Sequence, residues 1–217
     1  TMYKKPTRIV LSFLNLAAFI ATVAVNALAS ILPLNNKDTG QLSDQYPNLF
    51  VPSGLTFSIW GLIYLLLGIY VIYQIIISFR ETKGNRGFIE KIGLLFIISS
   101  VLNIGWIFAW HYEIVWLSLI LMVLLFASLL AIYLRLNIGK SNANTLEKFL
   151  VHIGFSIYLG WITIATIANV TATLVNYGWN GFGLSEQFWA VLVIAVGIII
   201  AISVLFSRND IFYCLVV

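Results

Sequence analysis

The stretch at residues 149–176, FLVHIGFSIYLGWITIATIANVTATLVN, decides the fold class. It holds no Lys, Arg, Asp or Glu, and it is longer than the ~20 residues an α-helix needs to cross a hydrocarbon core of ~30 Å. Its polar and small residues are not scattered. Ser156, Gly160, Thr163, Thr166, Asn169, Thr173 and Asn176 recur at steps of three and four, which is one face of an α-helix from end to end. The stretch therefore reads as a membrane-crossing helix with one face set against other protein.

Five further runs carry the same signature, at residues 8–32, 53–79, 88–110, 114–134 and 188–206. A seventh begins at Ile211 and is expected to continue as another helix. Of the 217 residues, 61% are apolar and 9% charged, against roughly 25% charged in soluble domains. The mean hydropathy is +0.99. The chain is expected to be an all-α polytopic membrane protein, with residues 1–217 forming one transmembrane domain. That excludes a soluble enzyme, a nucleic-acid binder and a disulfide-stapled module. The single cysteine, Cys214, has no internal partner. The first run carries Asn15 and Asn26 and is too long for a signal peptide, so it is expected to be a retained helix.

Basic residues set the expected orientation. Of the 12 Lys and Arg, only Lys37 falls on the side opposite the N-terminus. Lys4, Lys5, Arg8, Arg80, Lys83, Arg86, Lys91, Arg135, Lys140, Lys148 and Arg208 share the N-terminal side. The expected location is the cell membrane, of the bacterial cytoplasmic type, crossed several times with the N-terminus in the cytoplasm. Membrane lipids are expected partners and nucleic acid is not.

No Lys, Arg, Asp or Glu is expected deep in a helix, which disfavours ion-coupled carriers and voltage sensors. Inward faces are instead marked by amides, hydroxyls and indoles. The first run has Asn15, Ala18, Thr22, Asn26 and Ala29. The second has Thr56, Trp60, Tyr64 and Gly68, and the third Ser99, Asn103, Trp106 and Trp110. Such stripes suit close helix packing. Large indoles beside amides suit, in addition, a cavity for a flat and largely apolar ligand with polar edges. The fourth and sixth runs are almost purely aliphatic and are expected to face lipid. Trp116, Trp179 and Trp189 read as interfacial anchors. Two outer loops, residues 33–52 and 176–187, are long enough to close over the outer mouth. His111 and His152 lie on opposite sides and make no metal site. No phosphate loop or nucleophile elbow is present. On the third run, Gly105 and Ala109 lie opposite Asn103 as a small-xxx-small pair, the pattern of a homodimer contact.

Three motifs resemble the tryptophan-rich sensory protein family, also called translocator protein or TspO. They are PSGLTFSIWGLIYLLLG at 52–68, NIGW at 103–106 and YLGWITIATIAN at 158–169, in that order along the chain. The resemblance covers the first five runs, about residues 8–176, and implies a five-helix bundle. The runs from 188 to 217 would add a sixth helix and at least part of a seventh. It implies binding of a tetrapyrrole or similar ligand, porphyrin- or heme-like, in sensing or transport. Matching residue by residue, Trp60, Asn103, Trp106, Trp161 and Ala165 would line the pocket. With the stripes, the candidate ligand-binding set becomes Trp60, Tyr64, Asn103, Trp106, Trp110, Trp161, Ala165 and Asn169. No catalytic residue, metal or resident cofactor is expected. Ordinary hydrolysis is disfavoured because no acid or base is poised inside, although the resemblance would allow light-dependent porphyrin breakdown. The chain departs from the family at Gly54, where the family has tryptophan, and at Val51, the first residue of its proline pair. No basic residue follows Asn169 before Trp179, so sterol binding by the family's usual pattern is not expected. The competing reading is a seven-helix transporter of small solutes.

Overall fold

A computed structural model describes residues 4–32, 34–80 and 87–217. Lys83 and Arg86, used in the charge argument, lie outside the described residues. All regular structure among the described residues is helical. The first run forms α1 (Lys5–Ile31), opened by a proline in its first turn, where no amide partner is lost. The following loop holds a short helix, α2 (Thr39–Ser43). Asp38 and Gln41 cap it reciprocally, each side chain bonding the other's backbone. The second run starts as a 3-10 turn (Gly54–Ser58) and becomes α3 (Ile59–Phe79).

The third run is broken. It forms α4 (Gly87–Ile92) and α5 (Leu95–His111), separated at Gly93, whose φ is +51. The 17 residues of α5 span only about 25 Å at ~1.5 Å per residue. The buried Phe88, Ile89 and Ile92 of α4 complete the crossing. The fourth run is α6 (Val115–Leu136). The fifth is α7 (Thr145–Glu147), a π-turn (Lys148–His152) and α8 (Ile153–Asn176). The sixth is α9 (Glu186–Arg208). Five of these helical stretches are long and apolar enough to cross a membrane, and α5 is a shorter apolar helix.

Packing corrects one expectation about lipid exposure. The helix α6 is not peripheral. It lies between α5 and α8 and buries Met122, Leu125, Leu129 and Ile132. Only α9 stays at the edge, with Gly197 its one buried residue. The back of α5, the face expected to meet a second copy, packs on α6 within the chain. A Cβ at Gly105 would touch Leu121 Cδ1 at 3.4 Å, and Ala109 is buried. The small pair thus lets α6 approach α5 closely.

Of the seventh run, Ile211–Cys214 forms α10, packed on α8 and α9. Gly160 permits this approach, since a Cβ there would sit 3.0 Å from the Tyr213 carbonyl oxygen. The acidic residue that caps α10 is drawn into the packing. Asp210 is buried. Its Oδ2 accepts from the Tyr133 hydroxyl (2.8 Å) and the Ser156 hydroxyl (2.7 Å), while Oδ1 caps the Tyr213 amide. The neighbouring turn depends on Gly139, with φ +83; a Cβ there would overlap the Arg208 carbonyl oxygen.

Candidate functional site

The site is built where α1, α3, α5 and α8 meet under the loop after α1, at the end remote from most basic residues. Trp60 is its centre. It stacks on Tyr64, one turn along α3, with ring centroids 5.5 Å apart. Trp106 of α5 lies 6.1 Å away, and Tyr158 and Trp161 of α8 meet Trp60 edge-on at 5.9 and 6.2 Å. Trp106 stacks in turn on Trp110 at 6.2 Å, and Phe57 meets Trp161 edge-on. Offset and edge-to-face geometries of this kind are the favoured ones for aromatic pairs.

The loop after α1 seals the far end. Leu42 and Tyr46 are buried, and the Tyr46 ring lies 5.7 Å from that of Trp110. Asn35 donates to the His111 carbonyl at 3.0 Å, and Lys37 pairs with Glu113 at 2.7 Å. Burial pushes the Tyr46 phenol above its ordinary range, with the Glu113 carboxylate adding to the rise. The first loop is thus a lid. The second, around residues 176–187, gathers Trp179, Phe182 and Trp189 over a separate apolar cleft of about 620 Å³ between α8 and α9.

The amides behave differently from the indoles. Asn103 is fully buried. Its Oδ1 accepts from Asn26 Nδ2 at 2.8 Å, and its Nδ2 donates to the Tyr158 hydroxyl at 2.9 Å. It therefore bolts α1, α5 and α8 together. Asn169 donates to Ser118 of α6 at 3.2 Å. In contrast, the buried Nε1 donors of Trp106 and Trp161 and the Tyr64 hydroxyl have no hydrogen-bond partner. Tyr64 lies near the Asn103 amide but out of bonding range.

Two spaces adjoin these groups. A small one of about 30 Å³ lies under the lid, bounded by Ser43, Phe57, Trp106, Trp110, Trp161, Ala165 and Asn169. A larger cleft of about 660 Å³ opens between α1 and α3. Its walls include Val23, Asn26 and Ala27 on one side and Phe57, Trp60 and Tyr64 on the other. Phe57 borders both. The candidate residues are thus brought to one end of the bundle but divided. Trp60 and Tyr64 face the cleft; Trp106, Trp110, Trp161, Ala165 and Asn169 face the small space; Asn103 lines neither. Sequence reasoning did not select Phe57, Tyr158, Ser43 or Asp38. Tyr158 stands three residues before Trp161 on the same helical face, a signal that was available. The lid residues carry no periodic signal.

A family model described as TSPO-like protein matches residues 12–217. The match runs through α9 and α10. No curated protein and no solved structure matches.

Proposed function

Because the chain belongs to the TSPO-like protein family and spans a membrane several times, we propose that it is a receptor or carrier for a flat, largely apolar ligand of tetrapyrrole-like shape. The observation that carries this reading is the Trp60 aromatic cluster. It holds buried donors on Trp106 and Trp161 without partners, and it adjoins a cleft of about 660 Å³. An unpaired buried donor costs on the order of 1–3 kcal/mol. A ligand with acceptor edges that reached these groups would recover that cost while stacking on indole. The small space holds no more than a water-sized body, so such a ligand enters from the cleft and displaces Phe57. The asymmetry of basic residues supports an N-terminus in the cytoplasm of a cell-membrane protein, with the lid facing outward.

The test is titration of the purified protein in nanodiscs with protoporphyrin IX dimethyl ester, a tetrapyrrole ring without charged side chains. Saturable quenching of tryptophan fluorescence and a rise in unfolding temperature are expected, since a ligand that binds only the native state stabilises it. Trp60→Ala should remove both signals. Absence of saturable quenching, with stabilisation by sugars or amino acids instead, would overturn the reading in favour of a solute transporter. Transporters of that kind break helices near the membrane midplane. The break at Gly93 lies instead near the basic end, between α4 and α5.

A further inference from the structure

The cleft between α1 and α3 has a polar end of one sign. Asp38 and Thr39 from the lid, with Ser30 and Ser58, stand around its mouth, and among the described residues no Lys or Arg lines it. Lys37, next to Asp38 in the chain, is held 2.7 Å from Glu113, and the buried His111 imidazole lies within electrostatic reach of Asp38. One oxygen of Asp38 accepts from the Gln41 amide to cap α2, which leaves the second oxygen to a ligand. Below this acidic rim lies the partly exposed Trp60, and one turn deeper along α3 Tyr64 completes the wall, with its unpartnered hydroxyl turned into the bundle. Gly61 keeps the entrance wide: a Cβ built there meets nothing within 4 Å.

We propose that this cleft selects flat aromatic ligands that carry a cationic nitrogen, with Asp38 as the residue that sets the preference. The aromatic body lies along Trp60 and Gly61, and the cation lies at the Asp38 carboxylate. Attraction of the cation by the indole face adds to the carboxylate's effect. An anionic edge in the same pose would meet the Asp38 carboxylate, with no Lys or Arg lining the cleft among the described residues. Asp38 is half-buried at the rim, so solvent moderates the discrimination to roughly tenfold. The inference rests on the ligand-binding reading above and names the ligand class within it.

Three probes with one ring skeleton test it: 9-aminoacridine, which is cationic at neutral pH, neutral acridine, and anionic acridine-9-carboxylate. Each is titrated against the full chain in zwitterionic nanodiscs, with empty nanodiscs as the partition control. The cationic probe should bind about tenfold more tightly than the anionic one. Asp38→Asn keeps a good capping residue and should reduce that ratio to about threefold or less. Gly61→Phe should weaken all three probes. Equal affinity for the cationic and anionic probes, or a ratio unchanged in Asp38→Asn, overturns the inference. If that happens while the neutral porphyrin ester still binds, the receptor reading stands and only the charge selection fails. If neither the porphyrin nor any acridine saturates, both fail together.

Discussion

Replacing Asn103 by leucine separates a structural amide from a ligand-binding one. Leucine matches asparagine in side-chain heavy-atom count but is bulkier, so no cavity is opened and any overpacking adds to the loss. What is lost is the bond from Asn26 at 2.8 Å and the bond to Tyr158 at 2.9 Å, both fully inside the bundle. Asn26 keeps a second acceptor, the Thr22 carbonyl at 2.9 Å, so the loss falls mainly on Tyr158. Interhelical hydrogen bonds in membrane bundles are worth about 0.6 kcal/mol each on average and up to about 1.7. Two of them give ~1–3 kcal/mol, or a fall in unfolding temperature of about 3–10 °C at this chain length. The assay is thermal unfolding in detergent followed by tryptophan fluorescence. A double-mutant cycle with Asn26→Leu isolates the coupling between the two amides. Affinity for the porphyrin ester should stay within about threefold, because Asn103 lines neither the cleft nor the small space. An Asn103→Leu protein that melts at the wild-type temperature but no longer binds ligand would refute this account and return Asn103 to the site.

Other substitutions probe the frame around it. Gly139→Ala should cost ~3 kcal/mol or more, from a left-handed backbone and a Cβ overlapping the Arg208 carbonyl; wild-type thermal stability would contradict the geometry of that turn. Asp210→Ala strands the Tyr133 and Ser156 hydroxyls and should cost ~3–5 kcal/mol, whereas Asp210→Asn, which keeps an acceptor, should recover part of that in the same melt. For orientation, cysteines placed at the exposed Gln45 and Asn180 should react with an impermeant maleimide added outside cells, and one at Lys140 should not. The reverse labelling pattern would put the lid in the cytoplasm.

The helical spans were legible because a bilayer demands long apolar runs, and the inward stripes of α1, α5 and α8 were legible because amides and hydroxyls avoid lipid. Asn15, Thr22 and Asn26, then Ser99 and Asn103, then Ser156, Thr163 and Asn169 are all buried. Aliphatic residues carry no such mark. Lipid tails are as apolar as leucine, so hydropathy cannot tell a protein-facing Met122 or Leu125 from a lipid-facing Leu192. That is why α6 reads as peripheral in the sequence, although Gly105 and Ala109 mark the close packing it makes with α5. The break at Gly93 follows the charged pair Glu90 and Lys91, which the reading of one run over 88–110 passed over. Asp210 looked like a loop residue because its partners, Tyr133 and Ser156, are remote in sequence.

Within the candidate site, amides and indoles were selected together, yet the structure uses them differently. A carboxamide has two donors and two acceptor positions on a short, rotatable stem. Asn103 and Asn169 accordingly find partners across helices and become part of the frame. An indole has one donor fixed at the edge of a rigid ring whose placement is set by packing. Trp106 and Trp161 are oriented by their stacked and edge-on neighbours, and their donors end where no acceptor stands. A helix bundle can adjust to satisfy an amide more easily than an indole. The unsatisfied indole donors of Trp106 and Trp161, which border the small space under the lid, therefore support the proposed ligand site more than the asparagines do.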